Sequence, residues 1–199
     1  MGLGLLDEPP NLLTPATVAM RVLPARGHDA GVLLVEPEAG VDFAWFREDP
    51  SGPAVVLATE AHGFRVADFQ PAFRRLLEGA SFYTLQRNRF FRKAGTLVTD
   101  LGPLAAFFTY ASGREAETLG KPSRLLYAAI ADDLEIPIDT IVMVGDDAEF
   151  DASESVALGM QGILVRTGKY RERDEGRVQP APTVTLDSVS VLPDWLGIA

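Results

Sequence analysis

The sequence predicts an α/β fold in which helices cover a parallel sheet. From about residue 118 onward the pattern runs helix, strand, helix, strand, strand, helix, an alternation that implies a parallel sheet. The strand patterns are short apolar runs bounded by turn residues, as buried strands are. One of them, Ile141–Val144, runs straight into Gly145, Asp146 and Asp147, with Asp151 close behind. In an open α/β sheet, chemistry gathers at the carboxyl ends of such strands.

Each element has its own signals. Pro9-Pro10 forbids a helix in the leading segment, residues 1–13. Thr14-Pro15 starts a helix, with Thr14 as N-cap and Pro15 at the first helical position. Val18, Met20, Val22 and Leu23 give it an apolar side, and it fades near Pro24. Strands are expected at Gly31–Val35, Ala54–Ala58 and Ser81–Leu85. Between the last two, Asp68 caps a helix in which Phe69, Phe73, Leu76 and Leu77 share a face, and Gly79 ends it. Leu101–Ala111 reads as a helix with Leu104, Phe107, Phe108 and Ala111 along one side.

The character changes around Gly113–Gly120. Gly120-Lys121-Pro122-Ser123 punctuates the chain before a helix lined by Leu126, Ala129, Ile130 and Leu134, which Ile136-Pro137 closes. After the acidic strand end, Ala152–Leu158 forms a short helix finished by Gly159. Gly162–Val165 is a buried strand, Arg166–Tyr170 the loop after it, Val184–Leu186 a last strand and Val189–Leu196 a terminal helix.

Composition narrows the function. Eighteen Lys+Arg against 28 Asp+Glu give a formal charge of −10, which argues against nucleic acid or an anionic membrane as a bulk partner. With no cysteine, disulfides and thiolate metal sites are excluded, and a reducing cytoplasm suits the chain. No apolar run approaches the roughly 20 residues that span a bilayer. Gly-x-Ser-x-Gly, Walker A and dinucleotide fingerprints are absent. His28 and His62 stand far apart without ligand spacing and read as surface or loop residues.

Five residues remain as candidates. Asp146 is either a ligand for a hard cation such as Mg²⁺, which needs only one or two protein carboxylates, or a turn aspartate capping the next helix. Two adjacent carboxylates repel unless a cation or hydrogen bonds offset them, and Asp151 adds a third acid nearby. Asp147 is the weaker ligand candidate. Lys121 stands at a loop-to-helix junction, where a lysine meets a phosphate or is a plain surface residue; Ser123 is the helix N-cap. Arg89 belongs to a basic-aromatic patch, Arg87–Lys93, that either holds an anionic substrate or is solvated loop.

Taken together, Gly120-Lys-Pro-Ser123, Val142–Asp147 with Asp151, and Gly159–Tyr170 resemble the haloacid dehalogenase (HAD) superfamily. The nearest resemblance is to its NagD-like capped phosphatases, near the phospholysine phosphohistidine inorganic pyrophosphate phosphatase group. It implies an α/β cap domain at residues 14–118, and a partial HAD-type parallel Rossmann-like core at 119–199. It implies Mg²⁺-dependent hydrolysis of a small phosphorylated metabolite through an aspartyl-phosphate. The matching positions make Asp146 the metal ligand, Asp151 the supporting acid, and Lys121 the residue that meets charge on nucleophile and phosphoryl group. Arg89 becomes a substrate contact if its loop faces the core.

The family's nucleophile strand and Thr/Ser phosphate motif precede the cap, whereas this chain begins where the cap begins. Asp7 follows no buried strand and is not accepted as a displaced nucleophile. Two expectations follow: a truncated phosphatase whose nucleophile segment lies elsewhere, or an inactive cap-plus-half-core remnant acting as a binding or assembly module. Either leaves Ile141–Val144 with an open apolar edge, which implies rearrangement, a homodimer, or pairing with a separately supplied segment.

Overall fold

The computed structural model describes residues 13–59 and 64–197; Asp7, Pro9-Pro10 and His62 lie outside that range. The described chain is α/β, and it divides between Leu126 and Tyr127 into two compact units.

The first unit opens with α1 (Pro15–Ala25), whose N-terminus is a reciprocal cap. Thr14 Oγ1 accepts from the Thr17 amide at 3.2 Å, and Thr17 Oγ1 accepts from the Thr14 amide at 2.9 Å. Strands β1 (Ala30–Leu34), β2 (Arg47–Glu48), β3 (Ala54–Leu57) and β4 (Ser81–Thr84) follow, with α2 (Gln70–Leu77) before β4. A hairpin of β5 (Phe90–Lys93) and β6 (Thr96–Thr99) leads to α3 (Leu101–Ser112) and β7 (Glu117–Thr118). The main sheet is wholly parallel in the order β2-β1-β3-β4-β7.

Both faces of that sheet are covered, as a parallel sheet requires. Along β3, side chains alternate. Val55 and Leu57 join Phe69, Leu76, Phe82 and Phe108 beneath α2 and α3; Ala54 and Val56 join Ala19, Leu23, Phe46 and Tyr83 beneath α1.

Three local readings shift by a residue or more. The buried side of α1 is Ala16, Val18, Ala19 and Leu23, while Met20 is exposed, because small alanines let the helix approach the sheet. Asp68 is not the cap of α2. It sits inside a 3₁₀ turn, Val66–Phe69, and its carboxylate reaches back to the Arg65 amide at 2.7 Å. The buried line of α3 is Leu101, Ala105 and Phe108, an i, i+4, i+7 stripe that leaves Phe107 and Ala111 outward.

The second unit begins inside α4 (Arg124–Leu134) and carries β8 (Val142–Gly145), α5 (Glu154–Ala157), β9 (Gln161–Val165), β10 (Val184–Leu186) and α6 (Leu192–Leu196). Its three strands are parallel in the order β10-β9-β8, so β8 has β9 as its one partner among the described residues. Ile163 and Leu164 of β9 are fully buried, and Leu164 packs on Ala148 and Ala152. The inward residues of α4 in this unit are Tyr127 and Ala131, and the Tyr127 hydroxyl lies 3.3 Å from Ser155 Oγ of α5. Leu134, expected on the apolar face, is exposed.

Candidate functional site at the carboxyl ends of β8 and β9

Because β8 and β9 are parallel neighbours in register from Val142↔Gln161 to Gly145↔Leu164, the loops that leave them start side by side. The first carries Asp146, Asp147 and Asp151; the second carries Thr167, Gly168 and Lys169.

The three carboxylates have separate tasks. Asp147 is the helix cap: its Oδ1 accepts from the amides of Glu149 at 3.2 Å and Phe150 at 3.1 Å. The turn that it caps, Ala148–Ser153, is a single π-type turn running into α5, in which the Asp147 carbonyl accepts from both Asp151 and Ala152. The helix therefore starts four residues earlier than Ala152, its expected start. The capping role weighed for Asp146 belongs to its neighbour.

Asp151 is buried, with 6% of its surface exposed, and its Oδ2 accepts from the Asp147 amide at 3.3 Å. Its carboxylate lies directly over the α-carbon of Gly145, in space that a β-carbon at 145 would occupy. Glycine there is what lets the acid fold back beneath the strand end.

Asp146 is half-buried, and its Oδ2 accepts from the Lys169 amide at 2.7 Å. Gly168, at φ +57°, brings the second loop so close that a β-carbon would overlap that same oxygen. The Lys169 ammonium stands 3.5 Å from Asp147 Oδ2, a half-exposed pair of small energetic weight. Asp147 is thus occupied on both oxygens, whereas Asp146 Oδ1 has no partner among the described residues.

The second loop is itself braced. Arg166 donates to Asp187 at 2.8 Å and to Glu175 at 3.4 Å, and Tyr170 donates to Glu175 at 2.9 Å. Asp187, then Tyr170 and Glu175, hold the Arg166 guanidinium still more firmly in its charged form. Glu175 is kept below the usual carboxylate range by its own backbone amide and by the Tyr170 hydroxyl.

Among the described residues no group of three or more His, Asp or Glu side chains gathers as a metal cage. One open carboxylate oxygen, with a second acid behind it, is still a donor set that fits Mg²⁺, which keeps most of its coordination for water and phosphate oxygens.

The two remaining candidates lie in the first unit. Lys121 is exposed and joined to Pro122 by a cis peptide, and Ser123 Oγ caps α4 by accepting from Leu125 at 3.2 Å. Arg89 is exposed at the start of the β5–β6 hairpin, where its carbonyl accepts from Asp100 at 3.2 Å. The basic-aromatic patch is therefore part of an antiparallel ribbon. Its turn uses positive φ at Ala94 and Gly95, the backbone that a tight hairpin requires.

Sequence reasoning missed Lys169. The signal was topological: the loop after a strand that pairs in parallel with β8 must emerge beside Asp146.

This arrangement, a carboxylate-bearing strand end in a parallel α/β sheet, lies where open α/β folds bind ligands, and comparison with known proteins supplies the class. The HAD-hydrolase-like family profile matches residues 118–192. Haloacid dehalogenase-like hydrolase domain-containing protein 2 of Bos taurus is 33% identical over 158 residues, 79% of this chain and 60% of that protein. Phospholysine phosphohistidine inorganic pyrophosphate phosphatase of Danio rerio is 32% identical over 187 residues, 92% of this chain and 68% of that protein. Among solved structures, p-nitrophenyl phosphatase from Archaeoglobus fulgidus aligns over 96% of this chain and 77% of its own, with a TM-score of 0.84 at 17% identity.

The chain belongs to the HAD-like hydrolases, among their phosphatases. It spans about 60% of the length of the first curated relatives that it matches. No helix among the described residues is long and apolar enough to cross a membrane.

Proposed function

We propose that this chain forms the metal-binding part, and a cap over residues 14–118, of a Mg²⁺-dependent phosphatase acting on a small phosphorylated metabolite. The substrate class is a phosphomonoester, phosphoramidate or pyrophosphate. The single observation that carries the reading is Asp146 at the carboxyl end of β8, one oxygen fixed by the Lys169 amide and the other open. Bound there, the ion would polarise a phosphoryl oxygen and offset repulsion between phosphate and attacking carboxylate.

The attacking aspartate is supplied by a segment beyond these residues. Its carboxylate oxygen bonds to phosphorus as the bond to the leaving group breaks, and water then cleaves the aspartyl-phosphate to inorganic phosphate. Asp151 orients the strand end through the Asp147 amide. Lys121 balances charge on the transferring group as a point cation, and Arg89 contacts the anionic substrate.

The test is hydrolysis of p-nitrophenyl phosphate by the protein translated with whatever reading frame precedes Met1, in parallel with the 199-residue chain. Mg²⁺-dependent turnover is expected from the longer protein if an in-frame Asp-x-(Asp/Ser)-Gly follows an apolar run. Asp146→Asn should lower kcat/KM by about a thousandfold, since a phosphoryl-bound metal contributes several kcal/mol. Turnover indifferent to Mg²⁺ and to Asp146→Asn would sink the proposal.

One observation favours a second reading as a binding or assembly module. Among the described residues strand β8 ends its sheet, and Val142, Met143 and Val144 are each half-buried. Such an edge accepts another strand, from a second copy or a separate segment. Sedimentation equilibrium of the chain should then show self-association; a monomer at tens of micromolar would remove the homodimer.

A further inference from the structure

We infer that Arg166, Tyr170 and Glu175 are positioning residues for the metal site, forming a bracket that presents the Lys169 amide to Asp146 and so decides which carboxylate oxygen faces the cation. The inference rests on the reading of Asp146 as the ligand and adds residues to which that reading gives no role.

The chain from Val165 to Val184 is a long excursion between paired strands, and long connections have many conformations unless something restrains them. Here Glu175 joins two points of the excursion, beside the turn that Asp174 closes by accepting from the Arg171 amide at 2.7 Å. Glu175, in a 3₁₀ turn (Asp174–Gly176), accepts from Arg166 at the start of the excursion and from Tyr170 one turn later. Arg166 also reaches Asp187, just past β10, at 2.8 Å, so the end of one strand is tied to the end of the next. The Tyr170 hydroxyl in turn accepts from the Arg173 amide at 3.3 Å, which fixes the turn that carries Glu175. Gly168 and Lys169 lie between the two anchored residues, and the backbone has to pass against Asp146, where no β-carbon fits at position 168.

The chemical consequence concerns geometry. A carboxylate with both oxygens unheld can rotate and chelate in several ways. With Oδ2 committed to the Lys169 amide at 2.7 Å, Asp146 offers one oxygen in one direction, the monodentate presentation that suits octahedral Mg²⁺. Groups that hold a ligand this way typically matter by about 10–100-fold in metal affinity.

The test uses the double variant Arg166→Ala/Tyr170→Phe in the full 199-residue chain, with Asp146→Asn as reference. Mn²⁺ serves as the probe, titrated by water-proton relaxation, and amide hydrogen exchange reads the bracket directly. The double variant should bind Mn²⁺ about tenfold more weakly. Its Lys169 amide should exchange at least about tenfold faster while Ile163 and Leu164 in β9 keep their protection, which separates local release from unfolding. Wild-type Mn²⁺ affinity and unchanged Lys169 exchange in the double variant would overturn the bracket. If Asp146→Asn binds Mn²⁺ as the unaltered chain does, the ligand assignment fails instead, and faster Lys169 exchange would then show a bracket that serves no cation.

Discussion

Replacing Phe108 by alanine is expected to destabilise the first unit by about 3–5 kcal/mol, the range for deleting a fully buried aromatic ring. Phe108 is completely buried and makes edge contacts with three rings: Phe69, Phe82 and Phe107, at centroid distances of 5.6, 5.8 and 5.2 Å. Phe82 belongs to β4, Phe107 is its neighbour on α3, and Phe69 lies just before α2, so no single side chain can move in to fill the space. Edge-to-face packing adds to the lost area burial. Phe107→Ala is the control. That ring is 44% exposed and should cost only about 1 kcal/mol, by the area it removes from water. Urea denaturation reads both, as a shift of midpoint at unchanged slope. Equal losses in the two variants would contradict the assignment of the buried face.

That pair also shows where the sequence stops being legible. The strands could be read because Ala54–Ala58, Ile141–Val144 and Gly162–Val165 are short apolar runs between turn residues, and parallel strands are found at Ala54–Leu57, Val142–Gly145 and Gln161–Val165. Helix α3 exists where expected, but Leu101–Ala111 is apolar almost all round. Several stripes fit such a sequence equally well, and only packing against β4 and α2 selects Phe108 over Phe107. The β5–β6 hairpin was hidden for another reason. None of the described side chains of this two-stranded ribbon is buried, so no core imposes alternation on it, and its one local signal is the glycine after Ala94.

The candidate site divides in the same way. Asp146 and Asp151 were visible as carboxylates after an apolar run. Which neighbouring aspartate caps the helix was not, because Asp146 is drawn away by an amide 23 residues further on, leaving Asp147 to accept from Glu149 and Phe150. That amide belongs to the backbone, and no residue type announces a backbone donor. Its place follows only from the pairing of β8 with β9.

Gly145→Ala is the change expected to couple the fold and the site most strongly. A β-carbon at 145 would fall inside the Asp151 side chain, overlapping its Oδ2, Cγ and Cβ, so a flexible tip cannot simply swing aside. Overpacking of this kind typically costs about 1–3 kcal/mol. The carboxylate it displaces is buried, and its hydrogen bond to the Asp147 amide would break, adding about 1–3 kcal/mol for a desolvated, unmatched group. A combined loss of about 2–6 kcal/mol is expected, with Mn²⁺ affinity reduced about tenfold or more because the Asp146-Asp147 backbone is released. Gly176→Ala, where nothing lies within 4 Å, should stay within about 0.5 kcal/mol of the unaltered chain. The cause can be isolated by pairing Gly145→Ala with Asp151→Ala, which removes the overlapping carboxylate. If the two side chains compete for one space, the double variant should be less damaged than the sum of the singles by about 1 kcal/mol or more. Strict additivity would mean that glycine is needed at 145 for some reason other than Asp151, and the acid would lose its place beneath the strand end as the explanation of this motif.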